Sequence, residues 1–304
     1  MRYPIKKMLI RSIQSMVEKT YHPMQVPSDL NMIENISYIE DGLVEHKLDI
    51  IYPPKRQEKY PIIINIHGGA FCMNSKEMLY RDYAIKLSRN QFAVVNINYT
   101  LSTKEVFPKQ IEDVLEVLKF ISNKANMYQL DLENIFIVGD SAGAYLAAMV
   151  GCIITSPKLQ MYYNWKLPIK IRAIASNCGM FDFDTYMQKD VQFPMRKGIT
   201  EILFGTKEYQ KLESYGYSSV LKYINKDFPP IYIMDTGLYS FEMEARRLEK
   251  VLIENHIEHQ IHIYDKYEKL PHAFNIMEKY AQGEEALEEL FRFFERHLTD
   301  KGDL

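Results

Sequence analysis

Short apolar runs alternate along the chain with stretches that are apolar on one side only. Continuous β-branched runs predict strands buried on both faces, whereas apolar residues spaced by three and four predict helices. Strands are predicted at 46–52, 61–67, 92–99, 134–139, 171–178, 230–235 and 259–265. Helices are predicted at 75–90, 109–128, 142–156, 242–255 and 284–298. Alternation of this kind predicts an α/β fold with a mostly parallel central sheet flanked by helices.

The N-terminal segment does not fit this alternation. Residues 1–20 carry apolar side chains at helical spacing, and Lys6, Lys7 and Arg11 interrupt any continuous apolar run. No small-residue cleavage site follows, so the segment predicts an amphipathic helix rather than a signal peptide. We expect this helix to pack on the body of the protein, with a position on a membrane surface as the alternative.

A second irregular segment lies between two consecutive predicted strands. Residues 183–228 are long for a connection and rich in Tyr, Phe and Met. Such insertions are often lids or binding loops, although a helical decoration with its own small apolar cluster is the alternative. We therefore expect a single domain over residues 1–304, with cap elements at approximately 1–25 and 183–228.

Composition removes several classes of function. The net charge is −3 over 304 residues without a dense Lys/Arg block, which argues against nucleic acid as a partner. Three widely spaced cysteines form no CxxC pair, so neither a disulfide framework nor a zinc site is expected, and a cytoplasmic location fits. No run is long enough for stable membrane insertion. We expect no metal and no organic cofactor, because no metal-ligand spacing is present.

Ser141 lies in the stretch Gly139-Asp140-Ser141-Ala142-Gly143, which has the form GxSxG. A buried strand is predicted directly before it and a helix directly after it. Glycines two positions before and after the serine let the strand and the helix pack closely around a sharp turn. The hydroxyl then projects above the carboxyl edge of the sheet, so Ser141 is the candidate nucleophile.

The stretch His67-Gly68-Gly69-Ala70 follows another predicted strand. Acyl transfer through a tetrahedral intermediate requires hydrogen-bond donors aimed at the developing oxyanion. A Gly-Gly-Ala loop leaves its amides uncovered by side chains, so we expect the amides of Gly69 and Ala70, together with that of Ala142, to form an oxyanion hole. We expect His67 to brace this loop.

These motifs together resemble the hormone-sensitive-lipase-like esterase family of the α/β-hydrolase fold. HGGAF at 67–71 is similar to that family's HGGG(F/W), and GDSAG at 139–143 matches its nucleophile motif. Residues 98–114 are similar to its DYRLAPE..FP...D segment, and His272 with Phe274 matches its HxF. The two cap elements are also similar to the family's two-part cap.

The resemblance runs from about residue 40 to the end of the chain. It departs from the family pattern at Ala70, where a third glycine is usual, and at Asn98 and Thr100. It implies a homodimer built on the strand at 259–265, and no cofactor.

His272 is the candidate general base. It follows the last predicted strand and precedes the final helix, where α/β-hydrolases carry the histidine of their triad. Serine needs such a base because it is a weak nucleophile at neutral pH. We expect His256, His259 and His262 to be surface or interface residues.

The third member of the triad is open. The family pattern GxDxLxxE implies an aspartate that falls on Tyr239 without gaps, or on Ser240 after a slip of one residue, and neither is an acid. Three carboxylates follow strands near the predicted site, namely Asp182, Asp235 and Glu242. We favour Asp182, with Asp235, Glu242 and a Ser–His dyad as alternatives.

The sequence therefore predicts a serine carboxylesterase that hydrolyses small esters with short- or medium-chain acyl groups through an acyl-enzyme. Amide hydrolysis by the same residues is a neighbouring possibility. The absence of an acid at the implied position motivates a different class, a catalytically impaired hydrolase-fold protein that binds a small apolar ligand.

Overall fold

The computed structural model describes residue 21 and residues 23–299 of the chain. The helix predicted over residues 1–20 lies outside the described residues. The strands are β1 (Asn31–Ser37), β2 (Lys47–Tyr52), β3 (Tyr60–Ile66), β4 (Ala93–Ile97), β5 (Leu130–Asp140), β6 (Ile171–Asn177), β7 (Ile231–Thr236) and β8 (His259–Tyr264).

All eight strands form one sheet in the order β1-β2-β4-β3-β5-β6-β7-β8. The strands from β3 to β8 run parallel to one another, and β2 pairs antiparallel with β4 and with β1. The prediction of a mostly parallel sheet flanked by helices is confirmed. β8 lies at one edge of the sheet, where the homodimer was expected, and that dimer stays a prediction.

Helices connect the parallel strands. The α-helices are α1 (Leu79–Ser88), α2 (Lys109–Lys124), α3 (Ala142–Thr155), α4 (Pro157–Tyr162), α5 (Phe183–Tyr186), α6 (Arg196–Leu203), α7 (Val220–Tyr223), α8 (Glu242–Glu254) and α9 (Ala281–Glu295). Short 3₁₀ turns occupy Val44–His46, Tyr209–Lys211, Glu213–Tyr217, Lys266–Glu268 and Phe274–Ile276. Among these described helices, none is both long and apolar enough to cross a membrane.

The sheet has an apolar core on each face. Alternate residues of β3 take part in different cores, with Ile62 and Ile64 on one face and Ile63 on the other. Helices α2, α3 and α8 cover the first face, and α1 and α9 cover the second. Because both faces are buried, almost every position of the central strands is apolar, as the sequence pattern indicated.

The carboxyl ends of the parallel strands meet at one edge of the sheet. β3 ends directly before His67, and β5 ends directly before Ser141. The loop that contains His272 follows β8 and the turn at Lys266–Glu268. Ligands of open α/β sheets bind at this edge, so the fold brings the three motifs together.

Candidate active site

Ser141 lies on a strained turn between β5 and α3. Its backbone has φ 53° and ψ −112°, a conformation that a residue with a Cβ atom rarely adopts. The Ser141 amide donates a hydrogen bond of 2.8 Å to the carbonyl of Asn177, the last residue of the neighbouring strand β6. Packing of β5 and α3 holds the serine in this conformation, and such retained strain is typical of functional positions.

Close packing explains the two glycines of the motif. A Cβ atom added at Gly143 would lie 2.0 Å from the carbonyl oxygen of Ile66. A Cβ atom at Gly139 would lie 2.3 Å from the carbonyl of Gly143. Both positions therefore admit only glycine, because the first turn of α3 is in direct contact with the ends of both β3 and β5.

The loop after β3 lies against the nucleophile. A Cβ atom at Gly68 would lie 3.3 Å from the Cβ of Ser141, and the next two residues have φ angles of 114° at Gly69 and 53° at Ala70. Within residues 23–299, the amides of Gly69, Ala70 and Ala142 donate to no protein acceptor. Unpartnered amides beside a serine hydroxyl can stabilise an oxyanion.

His67 takes part in this loop without reaching Ser141. Its Nδ1–H donates to the carbonyl of Gly68 at 2.7 Å, and its ring stacks on Tyr99 at 4.2 Å. The Tyr99 hydroxyl donates to the carbonyl of His67. Burial lowers the pKa of His67 to about 4, so the ring is neutral. These contacts match the bracing role expected for His67.

A small apolar cavity of about 10 Å³ lies beside Ser141. Its walls include Phe183, Tyr186, Phe193 and Ile199, all from the insertion at 183–228. The remaining wall residues are Ala70, Phe71, Ala142, Met180 and Phe241. The insertion thus contributes aromatic side chains directly to the space above the nucleophile.

His272 lies beside the same aromatic residues. Its ring centroid is 4.8 Å from that of Phe193 and 5.0 Å from that of Phe241, and both of these line the cavity at Ser141. Burial of the ring lowers the pKa of His272 to about 4. Its Nε2 is shielded from solvent and has no hydrogen-bond partner among the described residues, including Ser141. Nucleophile–base bonds are often open without substrate and close in the reacting complex.

The other ring nitrogen of His272 contacts a serine. Nδ1 lies 2.8 Å from Oγ of Ser240, where α/β-hydrolases have an acid. Ser240 is only 5% exposed, whereas Tyr239 before it is 65% exposed and has a φ of 49°. Of the two positions that the sequence left open, the structure brings Ser240 to the imidazole.

The structure does not bring Asp182 to His272, and this expectation requires correction. Oδ1 of Asp182 accepts hydrogen bonds from the amides of Asp184 at 2.8 Å and Thr185 at 2.9 Å. The carboxylate is therefore the N-cap of α5. Its place after a strand that ends at the correct edge made it a candidate, but the local turn directs it to the backbone of its own helix.

The other two candidate acids differ in their surroundings. Glu242 opens α8 and forms an ion pair of 2.7 Å with Arg246. Asp235 lies near the end of β7 and is fully buried. Burial raises the pKa of Asp235 to about 7, although the Ser240 hydroxyl and backbone amides oppose this rise. Sequence reasoning considered Ser240 only as a position without an acid, and no local motif indicated that its hydroxyl faces the base.

A buried carboxyl also precedes the nucleophile. Oδ1 of Asp140 accepts a hydrogen bond of 2.9 Å from the side chain of Asn275, three residues after His272. Burial raises the pKa of Asp140 to about 7, and the amides of Asn275 and Asn177 oppose this rise. Asp140 thereby joins the turn at Ser141 to the loop that contains His272.

The strand order, the turn at Ser141 and the loop after β3 define an α/β-hydrolase fold. The sequence profile of the BD-FAE family matches residues 48–237, more than half of the chain. The chain therefore belongs to the BD-FAE family, and the resemblance to α/β-hydrolases is confirmed at this level. Its finer placement in the hormone-sensitive-lipase-like branch stays a prediction.

Curated relatives are similar over part of their length. The probable carboxylic ester hydrolase LipM of Mycobacterium tuberculosis is 27% identical over 203 residues, which cover 66% of this chain and 46% of that protein. The putative alpha/beta hydrolase R526 of Acanthamoeba polyphaga mimivirus is 27% identical over 161 residues, or 49% of this chain and 46% of that protein. The chain thus spans less than half the length of these relatives.

Solved structures share the fold over nearly the whole chain. Esterase B from Lactobacillus rhamnosis, in its form inhibited by a tributyrin phosphonate, has a TM-score of 0.84 at 23% identity, covering 97% of this chain and 96% of its own. A truncated carbohydrate esterase from gut microbiota has a TM-score of 0.69 at 19% identity, covering 92% and 98%.

Proposed function

We propose that this protein is a serine carboxylesterase that hydrolyses small esters. The observation that carries the proposal is the position of Ser141, which lies on a strained turn, lines a small apolar cavity and contacts a loop with unpartnered amides. Nothing else about the turn needs a serine, since the glycines shape it. The names of the relatives, which include carboxylic ester hydrolases and esterases, support the same reaction.

The reaction follows from the atoms present. Oγ of Ser141 attacks the ester carbonyl carbon while Nε2 of His272 takes the serine proton. The carbonyl oxygen becomes an oxyanion, and the amides of Gly69, Ala70 and Ala142 donate hydrogen bonds to it. Nε2 then returns the proton to the departing alcohol, which leaves an acyl-enzyme on Ser141. Water, activated by the same nitrogen, resolves the acyl-enzyme.

The size of the cavity points to short acyl groups. A volume of about 10 Å³ is far below that of a pocket for a long acyl chain, and its walls are mostly aromatic. An acetyl or similarly small acyl group requires the smallest displacement of the wall residues, and butyryl or longer groups require a larger one. The segment 183–228 acts as a cap in this proposal, since four of its residues line the cavity.

The alternative of a binding protein without activity finds no support in these residues. Ser141 and His272, the expected nucleophile and base, share two aromatic neighbours. Phe193 and Phe241 both contact His272 and line the cavity at Ser141. A binding protein would need neither the strained serine nor the uncovered amides. We therefore retain only the enzymatic proposal.

The test is hydrolysis of nitrophenyl acetate, butyrate and octanoate, together with labelling by an aryl fluorophosphonate. We expect turnover that is fastest with acetate and a label on Ser141. Ser141→Ala should remove both the turnover and the label, because it deletes the attacking atom. The matched control is Ser88→Ala, since Ser88 is also a buried serine, on α1. A wild-type protein that neither turns over these esters nor takes the label would contradict the proposal.

A further inference from the structure

The group that holds His272 has no charge of its own. Oγ of Ser240 lies 2.8 Å from Nδ1, and in the tautomer that carries its hydrogen on Nδ1 it accepts the Nδ1–H hydrogen bond, which leaves Nε2 to act as a base. A carboxylate at this position would also stabilise the imidazolium that forms during attack, and loss of that charge lowers kcat by about ten-thousand-fold in serine proteases. A serine alone supplies the orientation without the charge.

A carboxyl group lies directly behind this serine. Asp235 is fully buried, and its Oδ1 accepts the amide of Thr236 at 2.7 Å. Its Oδ2 is shielded from solvent and has no hydrogen-bond partner among the described residues. Unpartnered buried oxygens are costly and uncommon in folded proteins. Of the contacts that lower the pKa of Asp235, that with the Ser240 hydroxyl is the strongest.

We propose that Ser240 and Asp235 act together as a two-residue substitute for the triad acid. In this arrangement the Ser240 oxygen accepts the Nδ1–H of His272, and the Ser240 hydroxyl proton turns to Oδ2 of Asp235. The inference rests on the proposed esterase function and names the positioning residues of that reaction. No bond forms or breaks at Ser240 or Asp235, because the proton from Ser141 stays on Nε2 until the alcohol leaves.

The sequence separation of the two residues fits this arrangement. Asp235 lies on β7, and Ser240 lies in the bend that follows this strand. The side chain of Ser240 is buried, whereas that of Tyr239 is exposed. No hydrogen bond joins Asp235 to the imidazole directly, since Nδ1 contacts Ser240 and Nε2 has no partner among the described residues.

A competing arrangement directs the hydroxyl elsewhere. A polar cavity of about 110 Å³ borders Ser240 on another side, with Asp190, Glu242 and Tyr239 among its walls. This volume can hold water, to which the hydroxyl can donate instead. In that case Ser240 matters for activity and Asp235 does not, so variants of Asp235 separate the two arrangements.

The experiment compares Ser240→Ala, Asp235→Asn and the double variant on nitrophenyl acetate, with fluorophosphonate labelling and thermal unfolding of each protein. We expect each single variant to lose at least about tenfold in kcat with little change in KM, and the double variant to lose no more than the worse single variant, because residues that act as a unit are not additive. Asp182→Asn is the matched control, since asparagine also caps helices. It should keep wild-type activity.

The pH dependence supplies a readout that a purely structural role would not change. Besides Ser240, the thiol of Cys178 contacts Asp235, and the imidazole of His272 contacts Ser240. Burial raises the pKa of the Cys178 thiol, and the charge of Asp140 also raises it. If Asp235 must be ionised, kcat/KM should rise with pH through a value near 7, where its pKa lies. Asp235→Asn should lose this limb and keep the limb of His272 near pH 4.

The outcomes separate this inference from the esterase proposal. A folded Asp235→Asn variant with at least half of the wild-type kcat, or with the limb near pH 7 unchanged, overturns the relay and leaves the esterase function standing. Losses that multiply in the double variant also overturn it. If Asp235→Asn does not fold, the pH profile of Ser240→Ala decides, since the relay requires a limb near pH 7 in the wild type that Ser240→Ala loses, and any other result overturns the relay. A wild-type protein without turnover or label overturns both proposals.

Discussion

Asn275 donates a hydrogen bond of 2.9 Å from its side chain to Oδ1 of Asp140, across 135 residues of sequence. Asp140 directly precedes Ser141, and Asn275 follows His272 by three residues. Neither side chain needs to contact a substrate. The bond therefore fixes the loop of His272 to the turn of Ser141, although Ser141 and His272 share no hydrogen bond themselves.

Asn275→Ala should separate these two segments. The variant leaves the buried carboxyl of Asp140 without the hydrogen bond from Asn275, which lowers the free energy of unfolding by about 1–3 kcal/mol. We expect a lower melting temperature and a kcat at least about tenfold lower, because misplacement of a catalytic group by an ångström has a large effect. Kinetics with nitrophenyl acetate and thermal unfolding measure both. Asn90→Ala on the surface is the control, and equal behaviour of the two variants would exclude the coupling.

Asp140 should make stability depend on pH in a specific direction. Its pKa is about 7 in the folded protein, above the ordinary value near 3.9 of an unfolded chain. The folded state therefore binds the proton more tightly, and this contribution is full below about pH 4 and lost as pH rises towards 7. Asn at this position resembles the protonated form and can accept from Asn275.

Asp140→Asn should accordingly gain stability relative to wild type as pH rises. Urea unfolding at pH 5 and pH 8 measures this difference, which we expect to be larger at pH 8. The burial of His67 and His272 has the opposite effect on stability, since their lowered pKa values remove stability as pH falls below about 6.5. The variant and the wild type must therefore be compared with each other at the same pH. A difference that is equal or smaller at pH 8 would show that the pKa of Asp140 is not raised in the folded protein.

An acid placed at the imidazole should change the base directly. Ser240→Asp puts a carboxylate near Nδ1 of His272, so the pKa of the imidazole should rise and the acid limb of kcat/KM should move to higher pH. Tyr239→Asp is the matched comparison, because Tyr239 is exposed and does not contact the imidazole. It should leave the pH profile unchanged. A shift in the Tyr239→Asp profile alone would reverse the assignment of the two positions.

Phe193 should limit the length of the acyl group. It lines the cavity at Ser141 and contacts His272, and its removal enlarges the space where the acyl chain would lie. We expect Phe193→Ala to raise the ratio of kcat/KM for octanoate over acetate by about tenfold or more, since each added methylene that finds room contributes roughly 0.8 kcal/mol. Met195→Ala, an exposed neighbour, serves as the control. An unchanged ratio would place the acyl chain elsewhere.

The sequence predicted the central strands well because both faces of the sheet are buried. Runs such as that around Ile63 contain almost no polar residue, so the pattern allowed no other interpretation. β1 was missed because most of its residues are exposed or half-exposed and its apolar positions do not alternate. The strand is defined by pairing with β2, a relationship between distant segments that no local pattern records.

Part of the site was within reach of sequence reasoning and part was not. Ser141 lies in a motif whose two glycines are required, because a Cβ atom at either position would lie less than 2.5 Å from backbone atoms. The motif in the sequence therefore indicates the geometry of the turn. The partner of His272 depends on which of residues 239 and 240 is buried, and no local pattern records that Ser240 is buried and Tyr239 exposed. Asp182 follows a strand at the correct edge, but its carboxylate caps α5.

The small volume beside Ser141 has a consequence for the timing of each turnover. A space of about 10 Å³ has room for about one water molecule and for no ester. In the proposed reaction, entry of an ester would therefore displace an aromatic side chain of the 183–228 segment. Each turnover would then include a movement of this wall besides bond breaking at Ser141. Between these movements, the small volume would limit how many water molecules can reach the proposed acyl-enzyme.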